Sequence, residues 1–206
     1  MRGSGHMIRL VAVAVALGTS LTACGARSRA GAARQPSPSA ASPGLVGAQA
    51  PDFSLRDQFA RHQRLSDFRG KVVLLTFVSS HCKDICPLTA ELLARTQDLL
   101  GARASGLQVV AVNANYRFSS VHDVLKWSKL HSMTHRWLFL TAQASTLWNV
   151  YHAYGVTPGA AHTVTIFVID AEGRVQGEVP IAMQSGLDEE AQVLSKAVDQ
   201  LEAAAA

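Results

Sequence analysis

The chain has 206 residues, 48% of them apolar, and a formal charge of +4 at neutral pH, which leaves room for one globular domain and an appendage. Five of its 19 basic residues, Arg2, Arg9, Arg27, Arg29 and Arg34, precede the first acid, Asp52, leaving 14 basic against 15 acidic side chains from position 51 onward. The part able to fold is therefore close to neutral, and nothing in it supports nucleic acid binding.

Arg2 to His6 looks like a leader ahead of Met7 and is given no structural meaning. Met7-Ile8-Arg9 and then Leu10 to Leu17 form a short basic segment and a short apolar one, too brief to span a membrane, which reads as an export signal. It ends Leu21-Thr22-Ala23-Cys24-Gly25, which resembles a bacterial lipobox and implies that Cys24 becomes the lipidated first residue of the mature protein. Residues 1–24 are thus expected to be a lipoprotein signal peptide. Residues 25–49, mostly Ala, Ser, Pro, Gly and Arg, bury too little surface to offset chain entropy and are expected to form a disordered tether. The folded domain is expected over 50–206, lipid-anchored on the outer face of a bacterial cytoplasmic membrane. Disulfides persist in that compartment, so a dithiol there needs reduction or a bound metal.

Ala50 to Leu55 and Gln63 to Leu65 read as a short hairpin around a polar turn, and Ser66 to Gly70 as a turn into the main strand. Lys71 to Val78, β-branched and apolar on both faces, suits a central strand of a covered sheet. Leu88, Leu92, Leu93, Leu99 and Leu100 recur at helical spacing after Pro87, predicting an amphipathic helix that ends near Gly101. Leu107 to Val112 is a second buried strand, and Ser119 or Ser120 caps a helix running to about His131. Trp137 to Leu140 is a short strand, and Ala144 to Tyr154 a helix closed by Gly155. Thr163 to Ile169 and Arg174 to Val179 form a hairpin turning at Asp170-Ala171-Glu172-Gly173, and a last helix covers Leu187 to Leu201. The order predicts an α/β fold with a mixed central sheet flanked by helices and an N-terminal β-hairpin, in the thioredoxin-like arrangement.

The chemistry lies where the main strand runs into its helix, at Ser79-Ser80-His81-Cys82-Lys83-Asp84-Ile85-Cys86-Pro87. Two thiols at this spacing can hold a soft metal, exchange electrons as dithiol and disulfide, or sit inert in a core. Cys86 falls at a helix N-terminus, where free N–H groups and the macrodipole favour a thiolate, so its pKa is expected below the usual value of about 8.5. Cβ atoms of two helical cysteines here would be about 5–6 Å apart, against about 3.8 Å in a disulfide, so Cys82 should lie in the loop. A loop that permits the bridge also permits chelation, and only a third ligand would decide between them.

Cys82-Lys83-Asp84-Ile85-Cys86-Pro87-Leu88-Thr89-Ala90-Glu91-Leu92, with Phe77 before it and Tyr154-Gly155-Val156 and His162 after it, resembles the Sco/SenC family over roughly residues 49–202. The resemblance implies a thioredoxin-like domain tethered outside the membrane that binds one copper, as Cu(I) or Cu(II), through Cys82, Cys86 and His162. Its members assemble the binuclear copper centre of cytochrome c oxidase subunit II, as metallochaperones, as thiol reductases of that site, or both. Subunit II or another extracytoplasmic copper protein is the implied partner, and the chain itself is expected to be a monomer. The donor set agrees, since thiolates suit Cu(I), imidazole suits copper in either state, and a three-ligand shell leaves the metal transferable. The sequence departs from the family pattern at Lys83, often proline, at Asn113-Ala114-Asn115 in place of an acid-rich Asp-Pro loop, and at Ala161, commonly aspartate.

Cys82 and Cys86 are also a redox-active pair in the competing reading, an extracytoplasmic thiol–disulfide oxidoreductase with no metal role. A peroxiredoxin-like peroxidase is a third reading. His81 is expected to face solvent and Asp84 to help start the helix rather than bind metal. Met183 is expected to fill a gap, Trp127, Trp137 and Trp148 to pack, and the remaining histidines, which lack ligand spacing, to be surface or core groups.

Overall fold

The computed structural model describes residues 44–158, 164–181 and 186–205. In chain order the elements are β1 (Ser54–Arg56), β2 (His62–Arg64), β3 (Val72–Val78), α1 (Ile85–Leu100), β4 (Leu107–Asn113), α2 (Val121–Leu130), β5 (Leu138–Leu140), α3 (Ala144–Tyr154), β6 (Thr165–Ile169), β7 (Val175–Pro180) and α4 (Leu187–Ala205). Short 3-10 helices occupy Leu65–Phe68 and Gly101–Gly106. The main sheet has the order β5-β4-β3-β6-β7, and β1 and β2 form a separate antiparallel pair. β3, β4 and β5 run parallel, whereas β6 is antiparallel to β3 and β7 to β6. This is the expected thioredoxin-like fold, a mixed sheet covered on both faces.

Side-chain alternation explains the layers. Val72, Leu74 and Val78 of β3 point to one face with Val109, Ala111, Ile166 and Val168, and meet α1, α2 and α4. Val73, Leu75 and Phe77 point to the other with Val110, Val112, Phe167 and Ile169, and meet α3 and the hairpin residue Leu55. Every residue of β3 is buried, as its unbroken apolar run requires.

The helix ends follow their caps. The Ser120 side chain accepts from Asp123 N–H, and the Asp123 carboxylate accepts from Ser120 N–H, which closes a capping box at the start of α2. Gly155 takes φ +65° at the end of α3, a left-handed conformation that favours glycine. α4 continues past Leu201 through the alanines to Ala205, alanine being the strongest helix former.

Three expectations need correction. Leu99 is 49% exposed, because the stripe of α1 that meets the sheet runs through Cys86, Ala90, Leu93 and Leu100 together with Thr89 and Thr96. Both threonines bury their hydroxyls by donating to carbonyls one turn back, Ile85 O and Leu92 O, each at 2.9 Å. Trp148 is also partly exposed, its ring tilted against Tyr116, whereas Trp127 and Trp137 are core residues. Residues 45–49, assigned by composition to the tether, pair with the closing hairpin. Gly47 N–H donates to Val175 O (2.8 Å) and Val175 N–H to Ala48 O (3.0 Å). Most of this pairing is made by backbone, to which the Gln49 side chain adds bonds to Glu172 O (3.0 Å) and Gly173 O (2.7 Å), so overall composition carries little sign of it.

Gln58 is buried and joins the N-terminal hairpin to the sheet edge. Its Nε2 donates to Thr134 O (3.1 Å) and Trp137 O (2.9 Å), and its Oε1 accepts from Phe139 N–H (2.7 Å). Gln58→Ala strands these backbone groups and should destabilise the domain by about 2–4 kcal/mol in urea unfolding, with the denaturant slope unchanged.

Candidate dithiol site

The site forms at the end of the sheet where β3, β4 and β5 finish and β6 begins, the carboxyl edge at which α/β sheets usually bind ligands. β3 delivers the loop 79–84 and β4 the loop that starts at Asn113. Thr76 Oγ1–H donates to Thr165 O (3.0 Å), tying the end of β3 to the start of β6.

The cysteine loop is held by backbone and side-chain bonds. Cys82 N–H donates to Ser79 O (3.1 Å), closing a turn. Ser79 Oγ accepts from His81 N–H (3.3 Å) and from Asn115 Nδ2 (3.4 Å). Ser80 N–H donates to Asn113 Oδ1 (3.2 Å), and Ser80 Oγ to Phe118 O (2.9 Å). The exposed His81 ring stacks on Phe118 with centroids 3.7 Å apart.

Asn113, noted in the sequence only as a departure from the family's loop, is a hydrogen-bonding hub of the site. Its fully buried amide accepts from Ser80 N–H and Asn115 N–H (3.1 Å) and donates to Phe118 O (2.8 Å), and its carbonyl accepts the Tyr151 hydroxyl (2.6 Å). A neutral amide satisfies donors and acceptors together, which a carboxylate in the same buried place would not. An asparagine closing the apolar run Val109 to Val112 was the available signal. Trp127, on α2, also holds the cysteine loop, its Nε1–H donating to Cys82 O (3.4 Å).

The two thiols are free and differ sharply. Asp84 stands at the N-cap of α1, but its side chain makes no capping bond. Cys86 N–H instead donates to Cys82 Sγ (3.4 Å), so the loop sulfur occupies the place of a capping oxygen. The next residue, Pro87, has no N–H to satisfy. Cys82, half-buried and in the loop as expected, therefore receives the helix N-terminal dipole. Cys86 is 0% exposed, and burial pushes its thiol well above the ordinary cysteine range, reinforced by its hydrogen bond with Cys82 and opposed by a backbone bond from Ser79. The expectation of an acidic Cys86 is thus overturned. Desolvation dominates, and the helix end acts on the other sulfur.

Two grooves flank Cys82. One, about 540 Å³, is lined by Asn115, Tyr116, Arg117 and Pro158, and the other, about 400 Å³, by Pro87, Lys126, Trp127 and Leu130, with Lys83 on the edge of both. Among the described residues no group of three or more His, Cys, Asp and Glu side chains is set to hold a metal. His162, Cys24 and Met183 lie outside the described residues, as does Ala161. The pair supplies two soft donors, and any third must come from elsewhere.

A covered mixed sheet with a free cysteine pair at the start of its first long helix defines a thioredoxin-like dithiol protein. The family model SCO1/SenC matches residues 44–199, and the chain belongs to that family. The thiol–disulfide oxidoreductase ResA of Geobacillus thermodenitrificans is 32% identical over 131 residues, 64% of this chain and 67% of that protein. The mitochondrial SCO2 homologue of Bos taurus is 28% identical over 135 residues, 59% of this chain, which spans half of that relative's length. Among solved structures, the copper-bound ScoI of Arabidopsis thaliana superposes with a TM-score of 0.64 at 19% identity, covering 74% of this chain and 99% of the other.

Because Cys86 is buried and protonated while Cys82 reaches solvent, alkylation of the reduced native protein with iodoacetamide should label Cys82 at least about tenfold faster. Mass spectrometry of peptides from timed samples reads the ratio, and equal rates would contradict the assignment.

Proposed function

We propose that this protein is an exported copper metallochaperone, anchored through a lipid on Cys24 to the outer face of a bacterial cytoplasmic membrane. Its cargo is one copper ion, held by Cys82, Cys86 and His162 and delivered to the binuclear copper site of cytochrome c oxidase subunit II or another extracytoplasmic copper protein. Reduction of that site's cysteines is the companion role. The observation that carries the reading is the free, closely juxtaposed pair, one sulfur half-exposed and the other behind it. Family membership and the likeness to a copper-bound ScoI support it.

The described flanks of the segment bearing His162 support the ligand assignment. Pro158 lines a groove with Cys82, and Val164 is buried in the same cluster as Cys86. Two thiolates favour Cu(I), and an imidazole completes a shell usable in both oxidation states. The reduced protein should bind one copper per chain, and Cys82→Ser, Cys86→Ser and His162→Ala should each lower the affinity at least about tenfold. Elemental analysis after anaerobic loading and desalting, beside a free-thiol count, checks this.

The raised Cys86 thiol gives the pH dependence a sign. Copper binds the thiolate, so loading displaces a proton that the free protein holds throughout the working range. Competition against a Cu(I) chelator should therefore show affinity rising with pH, by about tenfold per unit for each thiol proton displaced.

The exposed-and-buried arrangement, with the ResA similarity, also favours thiol–disulfide exchange. Cys82 thiolate attacks a partner disulfide, one partner sulfur leaves as thiolate and takes up a proton, and a mixed disulfide remains. Cys86, losing its proton, then attacks Cys82 Sγ, releases the second partner thiol and leaves a Cys82–Cys86 disulfide, so two electrons pass to the partner. Cys86→Ser should trap the mixed disulfide with a small model disulfide, seen by intact mass, while His162→Ala should leave exchange in place.

A further inference from the structure

The groove between the start of α1 and the end of α2 has features that neither metal binding nor the fold uses. Leu130, on the last turn of α2, is 75% exposed at its wall, beside Trp127 and Pro87. The buried face of α2 is already made by Val124, Trp127 and Ser128, so the core does not call on Leu130. The volume, about 400 Å³, is in the range of ligand sites, and Cys82 opens onto it.

Besides His81 and His131, its lining carries two lysines against one carboxylate, a net positive charge. Lys83 and Lys126 are exposed on its lining, and neither enters an ion pair among the described residues. Asp123, also in the lining, has its carboxylate engaged by Ser120, accepting from N–H at 3.1 Å and from Oγ–H at 2.6 Å. The region from position 51 onward carries 14 basic and 15 acidic residues, so this basic rim is local rather than a reflection of overall charge.

We infer that this groove docks an extended, acidic polypeptide segment of the partner protein, with a large apolar side chain of that segment seated against Leu130, next to the buried Trp127, and its carboxylates facing Lys83 and Lys126. The inference rests on the reading of Cys82 as the exchanging sulfur, since docking here brings a partner's cysteine or metal site to it. A polypeptide segment fits better than a lipid surface, because a membrane-binding helix needs a long apolar face and that of α2 is consumed by the core.

The test uses the full chain with Cys24→Ser, reduced and metal-free, and three cysteine-free octapeptides. One carries leucine flanked by aspartates, one leucine flanked by lysines, and one serine flanked by aspartates. Binding is followed through the Trp127 indole N–H resonance, assigned with Trp127→Phe. The leucine–aspartate peptide should shift that resonance and bind at least about fivefold tighter than either of the others, the scale of one good contact or rim charge. Lys126→Glu should reverse the preference for aspartate over lysine, and Leu130→Ser should abolish the preference for leucine over serine. Equal binding of the three peptides, or preferences indifferent to both variants, would overturn the proposal. So would Leu130-dependent sedimentation with phosphatidylglycerol vesicles without peptide binding, which would make the groove a lipid site. No metal or thiol chemistry enters the assay, so its failure is separable from failure of the copper reading.

Discussion

A sulfur takes the place of a capping oxygen at the start of α1, and the behaviour of the site depends on that contact. Cys86 N–H donates to Cys82 Sγ where Asp84 makes no capping bond, and Pro87 removes the next donor. The helix end is satisfied only while Cys82 stays over it, and Cys82 stays there because its loop is pinned from several sides. Asn113 holds Ser80, Asn115 holds Ser79, and Trp127 holds the Cys82 carbonyl. The fold fixes the geometry through rigid elements and leaves little for the loop to find by itself.

The same contact makes the two thiols unequal. One sulfur receives a backbone donor and the helix dipole at the surface, while the other is sealed against the sheet and kept protonated. For exchange, this separates an attacking sulfur from a resolving one. For a metal, it places two soft donors side by side with one face toward solvent. A single arrangement thus suits both proposed roles, electron transfer and copper transfer, and kinship with SCO1/SenC proteins is compatible with similarity to a ResA oxidoreductase. What separates the two functions is a third ligand, proposed as His162.

Much of the fold was legible because it is written locally. The Ser120 cap, the Gly155 terminus and the apolar run of β3 each carry a short-range signal, and the structure places these elements as expected. The site was legible as a pair of cysteines between a strand and a helix, but not in its electrostatics. Whether the dipole or desolvation governs Cys86 depends on how deeply the helix start is buried, and that is decided by residues far away in sequence. The bonds by which Asn113 and Trp127 hold the cysteine loop were not legible for the same reason, since their partners lie on other elements. Leu130 reads as one more apolar residue of a helix, and only its exposure beside Cys82 sets it apart.

The account stands on two sulfurs and one distant imidazole meeting at a single ion. X-ray absorption spectroscopy of the copper-loaded full chain, in the reduced state, tests that directly. The account predicts a first shell of two sulfur scatterers and one nitrogen with imidazole multiple scattering, and loss of the imidazole signal alone in His162→Ala. A shell of sulfur only, unchanged in that variant, would contradict it and leave the pair with thiol exchange.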